Sequence, residues 1–331
     1  MNYDIIGDIH GHADALKALL AKLGYREAGG VWRQTDRQAF FVGDLIDRGP
    51  QQVETVNIVR RMVDSGSAQM VMGNHEFNAI AWHTPHPHKD GEYLRPRHHP
   101  EWGEKNRRQH ERFLAEVEHR PALHKELIDW FMKLPLWLEL PEIRVVHACW
   151  HTSFMEWLRQ RLTVEGQLHS DILEPATREP KDKAEKDNAE PTLFKAVEAV
   201  TKGLEIPLPK PHTFIDKDGT ERSRVRVRWW DPEAKDYPQA AMLDQARREQ
   251  LPRLPIPDHA RIGVPTDKPI FFGHYWLTGG PQILAPHAAC VDYSAGKGGA
   301  LVAYRWDGEQ RLDSAKFVGV SARQASQGAG Q

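Results

Sequence analysis

The chain has 331 residues, 40% of them hydrophobic, enough for about two domains or one large one at ~150 residues each. Its 44 Lys and Arg against 46 Asp and Glu leave a net charge of −2, which excludes a long-range field for gripping nucleic acid or an acidic membrane. There is no apolar run of ~18 residues to cross a bilayer, no basic leader before the first apolar run, and only Cys149 and Cys290 as cysteines; the sequence reads as a cytoplasmic protein without a disulfide scaffold.

Tyr3-Asp4-Ile5-Ile6 is an apolar run that stops at Gly7-Asp8, and Leu16, Leu19, Leu20 and Leu23 then recur at helical spacing until Gly24. A second buried strand, Gln38 to Val42, stops at Gly43-Asp44, and Pro50 opens a helix with Val53, Val56, Val59 and Val63 on one face. A third strand, Gln69 to Met72, stops at Gly73-Asn74. This alternation predicts right-handed crossovers and a largely parallel sheet. Residues 83–110, rich in His, Pro, Arg and Glu, read as a polar surface insertion, and the seven histidines from His83 to His119 as surface side chains.

A helix along Leu123, Leu127, Trp130, Phe131 and Leu134 follows, then a strand over Ile143 to Val146 that ends at His147. Residues 165–212 read as a second polar insertion, with 178–190 a solvated loop. Antiparallel β-structure comes next: a hairpin at Asp218-Gly219, a returning strand over Arg222 to Arg228, and a strand over Pro269 to Phe272 ending at Gly273-His274. Ala289 to Tyr293 and Ala300 to Tyr304 read as a final pair, and 321–331 as a disordered tail. We therefore expect a single domain over 1–320.

Five strand ends carry polar residues that can converge: Asp8 and His10; Asp44, Asp47 and Arg48; Asn74 and His75; His147; and His274. Ligand sites in α/β sheets lie outside the carboxyl ends of the strands. Carboxylate and amide oxygens mixed with imidazole suit Mn, Fe or Zn. Six donors that share one carboxylate suggest two metals roughly 3.5–4 Å apart, a clamp for displacement at phosphorus.

The ordered set Gly-Asp-x-His-Gly, Gly-Asp-x-x-Asp-Arg-Gly, Gly-Asn-His-Glu, His and Gly-His runs from residue 7 to 274 and resembles the calcineurin-like metallophosphoesterase superfamily. Within it, the pattern is most similar to the serine/threonine protein phosphatases and the symmetrical diadenosine tetraphosphatases. The resemblance implies an αββα sandwich, two mixed sheets flanked by helices, with a dinuclear site at the strand ends. It implies Asp8 and His10 on one metal, Asp44 bridging, and Asn74, His147 and His274 on the other, with Mn expected first and Fe or Zn as alternatives. By the same resemblance His75 is the general acid, Asp47 orients it, Arg48 holds phosphoryl oxygens with Asn74 nearby, and a metal-bridging hydroxide attacks phosphorus. The expected activity is phosphomonoester hydrolysis of a phosphoprotein, small phosphomonoester or nucleotide, with dinucleoside polyphosphate hydrolysis as the alternative and a non-catalytic scaffold as the reading from outside enzymology. Trp276 stands where many diesterases and nucleases of the superfamily have a further histidine ligand, and the resemblance assigns no second phosphate-binding arginine.

Simpler readings compete at single positions. Asp8, Asp44 and Asn74 each fit a helix N-cap, although their joint pairing with histidines does not follow from capping. Arg48 fits an ion pair with Asp47 or Glu76, and Glu76 itself reads as an ion-pair partner close to the site. Arg222, Arg224, Arg226 and Arg228 fit either a phosphate track or one exposed face of a strand. Gly296-Lys297-Gly298-Gly299 lacks the features of a nucleotide-binding P-loop and reads as a tight turn. Cys149 reads as a small buried residue rather than a nucleophile.

Overall fold

The core strands form on the apolar runs of the sequence and are buried on both faces. The computed structural model describes residues 2–215 and 219–322; Asp218 of the expected hairpin and residues 323–331 of the expected tail lie outside them. Strands β1 (Asn2–Ile6), β2 (Arg37–Phe41) and β3 (Ala68–Met70) are parallel neighbours, connected through α1 (Ala13–Lys22) and α2 (Gln52–Asp64). Then come α3 (Asn74–His83), α4 (Gly103–Val117), α5 (Pro121–Phe131), β4 (Trp137–Glu139) and β5 (Arg144–Val146). The last strands are β6 (Ile270–Phe272), β7 (Ala288–Cys290), β8 (Asp292–Tyr293), β9 (Ala300–Trp306) and β10 (Phe317–Ser321).

One sheet runs β8-β9-β1-β2-β3 with β10 also on β9, and the other runs β7-β6-β5-β4. Both are mixed. In the first, Ile5 lies opposite Phe40 in parallel pairing and opposite Tyr304 in antiparallel pairing. In the second, β6 is parallel to β7 and β5, whereas β4 is antiparallel to β5. The largely parallel sheet expected from the first strands therefore holds only for β1 to β3.

Successive side chains point to opposite faces of a strand, and this separates the layers. Ile5, Phe40 and Tyr304 from one sheet cluster with Val145, Phe271 and Ala289 from the other. Their neighbours Ile6, Phe41, Val146 and Phe272 turn the other way, into the cluster that includes Leu16, Leu19, Val56 and Val59 of the helices. The result is an αββα sandwich, and burying a side chain such as Phe40 or Phe271 in it contributes about 1.5–3 kcal/mol.

Other expectations need correction. Ala289 to Tyr293 is not one strand: the chain leaves the second sheet at Cys290 and joins the first at Asp292, with Val291 donating to the Phe272 carbonyl between them. The returning strand breaks at Ser223, so that Glu221–Arg222 pairs with Phe214–Ile215 and Arg224–Arg226 with Glu205–Pro207. The stretch 165–212 is not uniformly polar, because the helix Leu193–Lys202 buries Ala196, Val197, Ala199 and Val200. Within 178–190, Lys183–Asp187 forms a short helix. The insertion 83–110 ends inside α4, whose inner face buries His110, Phe113, Leu114 and Val117. Among the described residues no helix is long and apolar enough to cross a membrane.

Candidate functional site

The loops after β1, β2, β3, β5 and β6 meet at one end of the sandwich and carry Asp8, Asp44, Asn74, His147 and His274. Glycine permits this convergence. A Cβ at Gly43 would lie 2.6 Å from the Gly73 nitrogen and 2.8 Å from His147 Nδ1, and one at Gly273 would lie 2.1 Å from Asp8 Oδ1. Backbone strain concentrates here as well. His10, Asp44, Asp47, Arg48, His274 and Trp276 all have positive φ, between 51° and 130°, and they are six of the seven such non-glycine residues among those described. Conformations of this kind cost about 1–3 kcal/mol each and persist where the surroundings over-determine them, commonly at functional sites.

Asp44 is the centre of the arrangement. Its Oδ2 lies 3.4 Å from His147 Nε2, 3.8 Å from His10 Nε2 and 3.9 Å from His75 Nε2, and its Oδ1 accepts the His75 backbone N–H at 2.9 Å. His10 donates from Nδ1 to the Ile46 carbonyl at 2.9 Å and His147 from Nδ1 to the Val42 carbonyl at 2.7 Å. A carbonyl only accepts, so each ring in its neutral form turns a bare Nε2 to the site, as metal-ligating histidines do. Asn74 Oδ1 lies 2.8 Å from His274 Nδ1 and 3.2 Å from His147 Nε2. Asp8 accepts the His274 N–H through Oδ2 at 3.0 Å.

Electrostatics sharpen the picture. Asp8, Asp44, Glu76 and Asp292 are all buried around this point. Burial, with Asp292 and Asp44 nearby, pushes the Asp8 carboxyl well up, and burial raises Asp292 to about 6. Burial would raise Asp44 too, but His147 and His75 outweigh it and hold that carboxyl well below the usual range. Burial, with His75 beside it, pulls His10 down to about 3. His274 is also lowered, first by burial and then by the charge of Arg226.

These residues fit a pair of divalent cations. Asp8 Oδ1, His10 Nε2 and His274 Nε2 are buried polar atoms with no hydrogen-bond partner, an arrangement that is expensive unless something else satisfies it. The ligand atoms of His10, Asp44 and His75 lie within 4.8 Å of one another, and so do those of Asp44, His147 and His274. Asp44 belongs to both groups.

His75 sits at the start of α3. Its Nδ1 is 2.7 Å from Asp47 Oδ2. Burial would lower its pKa, but Asp44 and Asp47 outweigh burial and raise it. Arg48 is exposed and makes no ion pair with Asp47 or Glu76 among the described residues; its guanidinium lies over the Trp276 ring, 5.7 Å from the centroid. Trp276 stacks on His10 with centroids 5.0 Å apart, and Lys297 Nζ also lies over the indole at 4.5 Å.

Two sequence readings near the site are corrected. Glu76 is not an ion-pair partner; its carboxylate accepts the backbone N–H groups of Asp44, Leu45 and Gly73 at 2.8–3.0 Å and ties the second loop to the third. His110 is not a surface residue; it is buried and bonds Asp47 Oδ1 at 2.8 Å. Its neighbours Phe113, Leu114 and Val117 follow at i+3, i+4 and i+7, the pattern that marks it as inward-facing. The arginines of the 222–228 stretch do not form one track: Arg224 pairs with Asp187, Arg226 with Glu205 and Arg228 with Asp231. Cys149 and Cys290 are buried and unpaired, and burial pushes the Cys149 thiol far up, against a nucleophilic role.

Comparison with known proteins gives a consistent set of likenesses. The sequence profile described as calcineurin-like phosphoesterase matches residues 1–190. A protein of Oceanobacillus iheyensis named bis(5'-nucleosyl)-tetraphosphatase PrpE [asymmetrical] is 31% identical over 176 residues, 52% of this chain and 65% of that protein. The chain thus spans just under two thirds of that relative, and 31% of the length of the PrpE protein of Halalkalibacterium halodurans, to which it is 47% identical over 76 residues. A Vibrio parahaemolyticus protein named bis(5'-nucleosyl)-tetraphosphatase, symmetrical, is 25% identical over 333 residues, 92% of this chain and 96% of that one.

Proposed function

The chain belongs to the calcineurin-like phosphoesterase family, and from that premise we propose that it is a metal-dependent phosphohydrolase whose substrates are dinucleoside tetraphosphates. The observation that carries the chemistry is the sharing of Asp44 between two groups of buried donors. The substrate class is supported by the names of the similar proteins from Oceanobacillus and Vibrio. They favour it over the phosphoprotein that the sequence alone put first.

In this reading Asp8, His10 and Asp44 hold one cation, and Asp44, Asn74, His147 and His274 the other, with Mn²⁺ the first choice and Fe or Zn alternatives. Such ions supply Lewis acidity at phosphoryl oxygens and lower the pKa of water to about 7. The chain's own residues do the rest. Arg48 offers a planar fork to non-bridging phosphoryl oxygens, beside Asn74. His75, with Nδ1 occupied by Asp47, presents Nε2 to protonate the leaving oxygen. Trp276, flanked by Arg48 and Lys297, forms an aromatic and cationic wall suited to a polyphosphate that carries bases. We take residues 1–320 as a single catalytic domain, and the unpaired cysteines favour a reducing, cytoplasmic setting.

Phosphomonoester hydrolysis remains the second reading, because Trp276 provides no ligand and leaves one cation with an open coordination shell. The test is direct: the Mn²⁺-loaded protein is given diadenosine tetraphosphate, p-nitrophenyl phosphate and a phosphopeptide, and the products are separated. Release of nucleotides from the tetraphosphate with the highest kcat/KM is expected, and the product pattern distinguishes symmetrical from asymmetrical cleavage. Preferred turnover of the phosphopeptide would move the assignment to the second reading; no turnover of any would leave a binding scaffold.

A further inference from the structure

Helix α4 grips the loop between Asp44 and Gly49 and the start of α2 that follows it. His110 reaches Asp47 directly. Six residues on, Glu116 accepts the N–H groups of Gln52 and Val53 at 2.7 and 2.9 Å, holding the start of α2. Gln52 closes the circuit, accepting from the Asp47 backbone N–H at 2.6 Å and donating to the Gly49 carbonyl at 2.6 Å. A helix that starts inside the stretch that composition marks as a surface insertion therefore braces the loop that carries Asp47.

The two contacts differ in kind. Glu116 touches only backbone, so it shapes the loop. His110 touches the carboxylate that orients His75. An ionised carboxylate only accepts, so with Oδ2 on His75 Nδ1 and Oδ1 on His110 Nδ1, at 2.7 and 2.8 Å, both imidazoles donate from Nδ1. The remaining polar atom of His110, Nε2, is buried without a partner, and the ring packs against Trp82 and Phe113 with centroids 6.1 and 5.0 Å away. A phenyl ring would suit that aromatic pocket better than an imidazole with an orphaned nitrogen. What the imidazole alone provides is the bond to Asp47.

We propose that His110 is a positioning residue of the reaction. By occupying the second oxygen of Asp47 it fixes the rotation of that carboxylate, which in turn holds the His75 imidazolium by its Nδ1–H with Nε2–H turned to the leaving oxygen. Without it, Asp47 has one buried oxygen unpaired and no longer a single preferred orientation. The inference rests on the reading of His75 as the general acid, and its test separates the two.

The test uses the Mn²⁺-loaded full chain with phenyl phosphate, a poor leaving group, and p-nitrophenyl phosphate, which needs little protonation. His110→Phe is expected to lower kcat on phenyl phosphate by roughly ten- to a hundredfold, below the ~10²–10⁴ of a removed acid. Its loss on the nitrophenyl ester should be under about threefold, with KM and metal content unchanged. His110→Asn, whose amide donates from the Nδ1 position, should recover most of the loss. Glu116→Gln should lower the melting temperature and reduce both substrates alike. If His110→Phe folds poorly, His110→Gln, which has no donor at the Nδ1 position, gives the same comparison. Equal effects of either variant on both esters, while His75→Asn still discriminates between them, would overturn the role of His110. If His75→Asn shows no discrimination either, it is the general-acid reading that falls.

Discussion

Asp44 Oδ2 and His147 Nε2 stand 3.4 Å apart, too far for a good hydrogen bond and apt for two donors that face one centre. His10 approaches the same oxygen at 3.8 Å, so removing its charge weakens both groups at once. Asp44→Asn is therefore expected to lose both metals and at least about 10²-fold in kcat/KM, since each cation is worth several kcal/mol of charge stabilisation. Chelation of the wild type should abolish turnover and added Mn²⁺ should restore it. Metal analysis and a steady-state assay check this, and an active Asp44→Asn protein with full metal content would refute the shared role.

His75→Asn tests the proposed proton donor. The expected outcome is unchanged metal content and a kcat lowered by about 10²–10⁴-fold on an alkyl phosphate, with a smaller loss on p-nitrophenyl phosphate. Cleavage of a tetraphosphate expels a nucleotide phosphate, which leaves readily, so that loss should also be the smaller one. Parallel losses on all three substrates would remove His75 from the acid role.

A stability prediction lies within β1, at Asp4. Asp4 is fully buried and meets Arg37 Nε at 2.9 Å, with Arg305 Nε at 3.2 Å from its other oxygen. Arg37 also donates to the carbonyls of Tyr3 and Trp306 at 2.7 and 3.0 Å, tying together β1, β2 and β9. Arg37→Ala leaves a buried carboxylate with one half-exposed partner, and breaking a pair of this kind costs about 3–5 kcal/mol. Urea denaturation should report a loss of that order while kcat at low temperature stays within about twofold, because the pair is remote from Asp44. A loss under about 1 kcal/mol, the scale of a surface pair, would show that Arg37 and Asp4 do not act as a buried ion pair.

The strand ends were legible because apolar runs stop abruptly at Gly-Asp, Gly-Asn and Gly-His, and those stops are where the site assembles. What escaped the sequence did so for identifiable reasons. Ala289 to Tyr293 is unbroken by any turn residue, yet its hydrogen bonds pass from one sheet to the other at Val291, and sheet membership leaves no mark in composition. Glu76 bonds backbone N–H groups, which every residue except proline carries, so no side chain announces its partners. His110 was hidden by its neighbours: the polar run from 83 masks the helical spacing of His110, Phe113, Leu114 and Val117, which begins only where that run ends.

The last prediction concerns charge on the substrate. Trp276 lies against His10 and cannot ligate, so in the proposed reading Asp8, His10 and Asp44 would be the protein donors to one cation and would leave room for substrate oxygens. Above the same indole stand Arg48 and Lys297, at 5.7 and 4.5 Å from the ring centroid. Two cations beside an open coordination shell favour substrates with charge beyond that of a simple diester: the dianion of a monoester, or the flanking phosphates of a dinucleoside tetraphosphate. A diester of two nitrophenyl groups carries a single negative charge and must fit a second ring against Tyr275 and Trp276. Both p-nitrophenyl phosphate and diadenosine tetraphosphate should therefore exceed bis(p-nitrophenyl) phosphate in kcat/KM by at least about tenfold, or ~1.4 kcal/mol of transition-state preference. Because Lys297 is exposed and contributes by charge, raising the salt concentration should narrow the gap. Lys297→Ala should narrow it most for the tetraphosphate, which extends furthest from the reacting phosphorus. Equal or better turnover of the bis-ester would show that this wall does not select for charge, and would place the chain with the diesterases of its family.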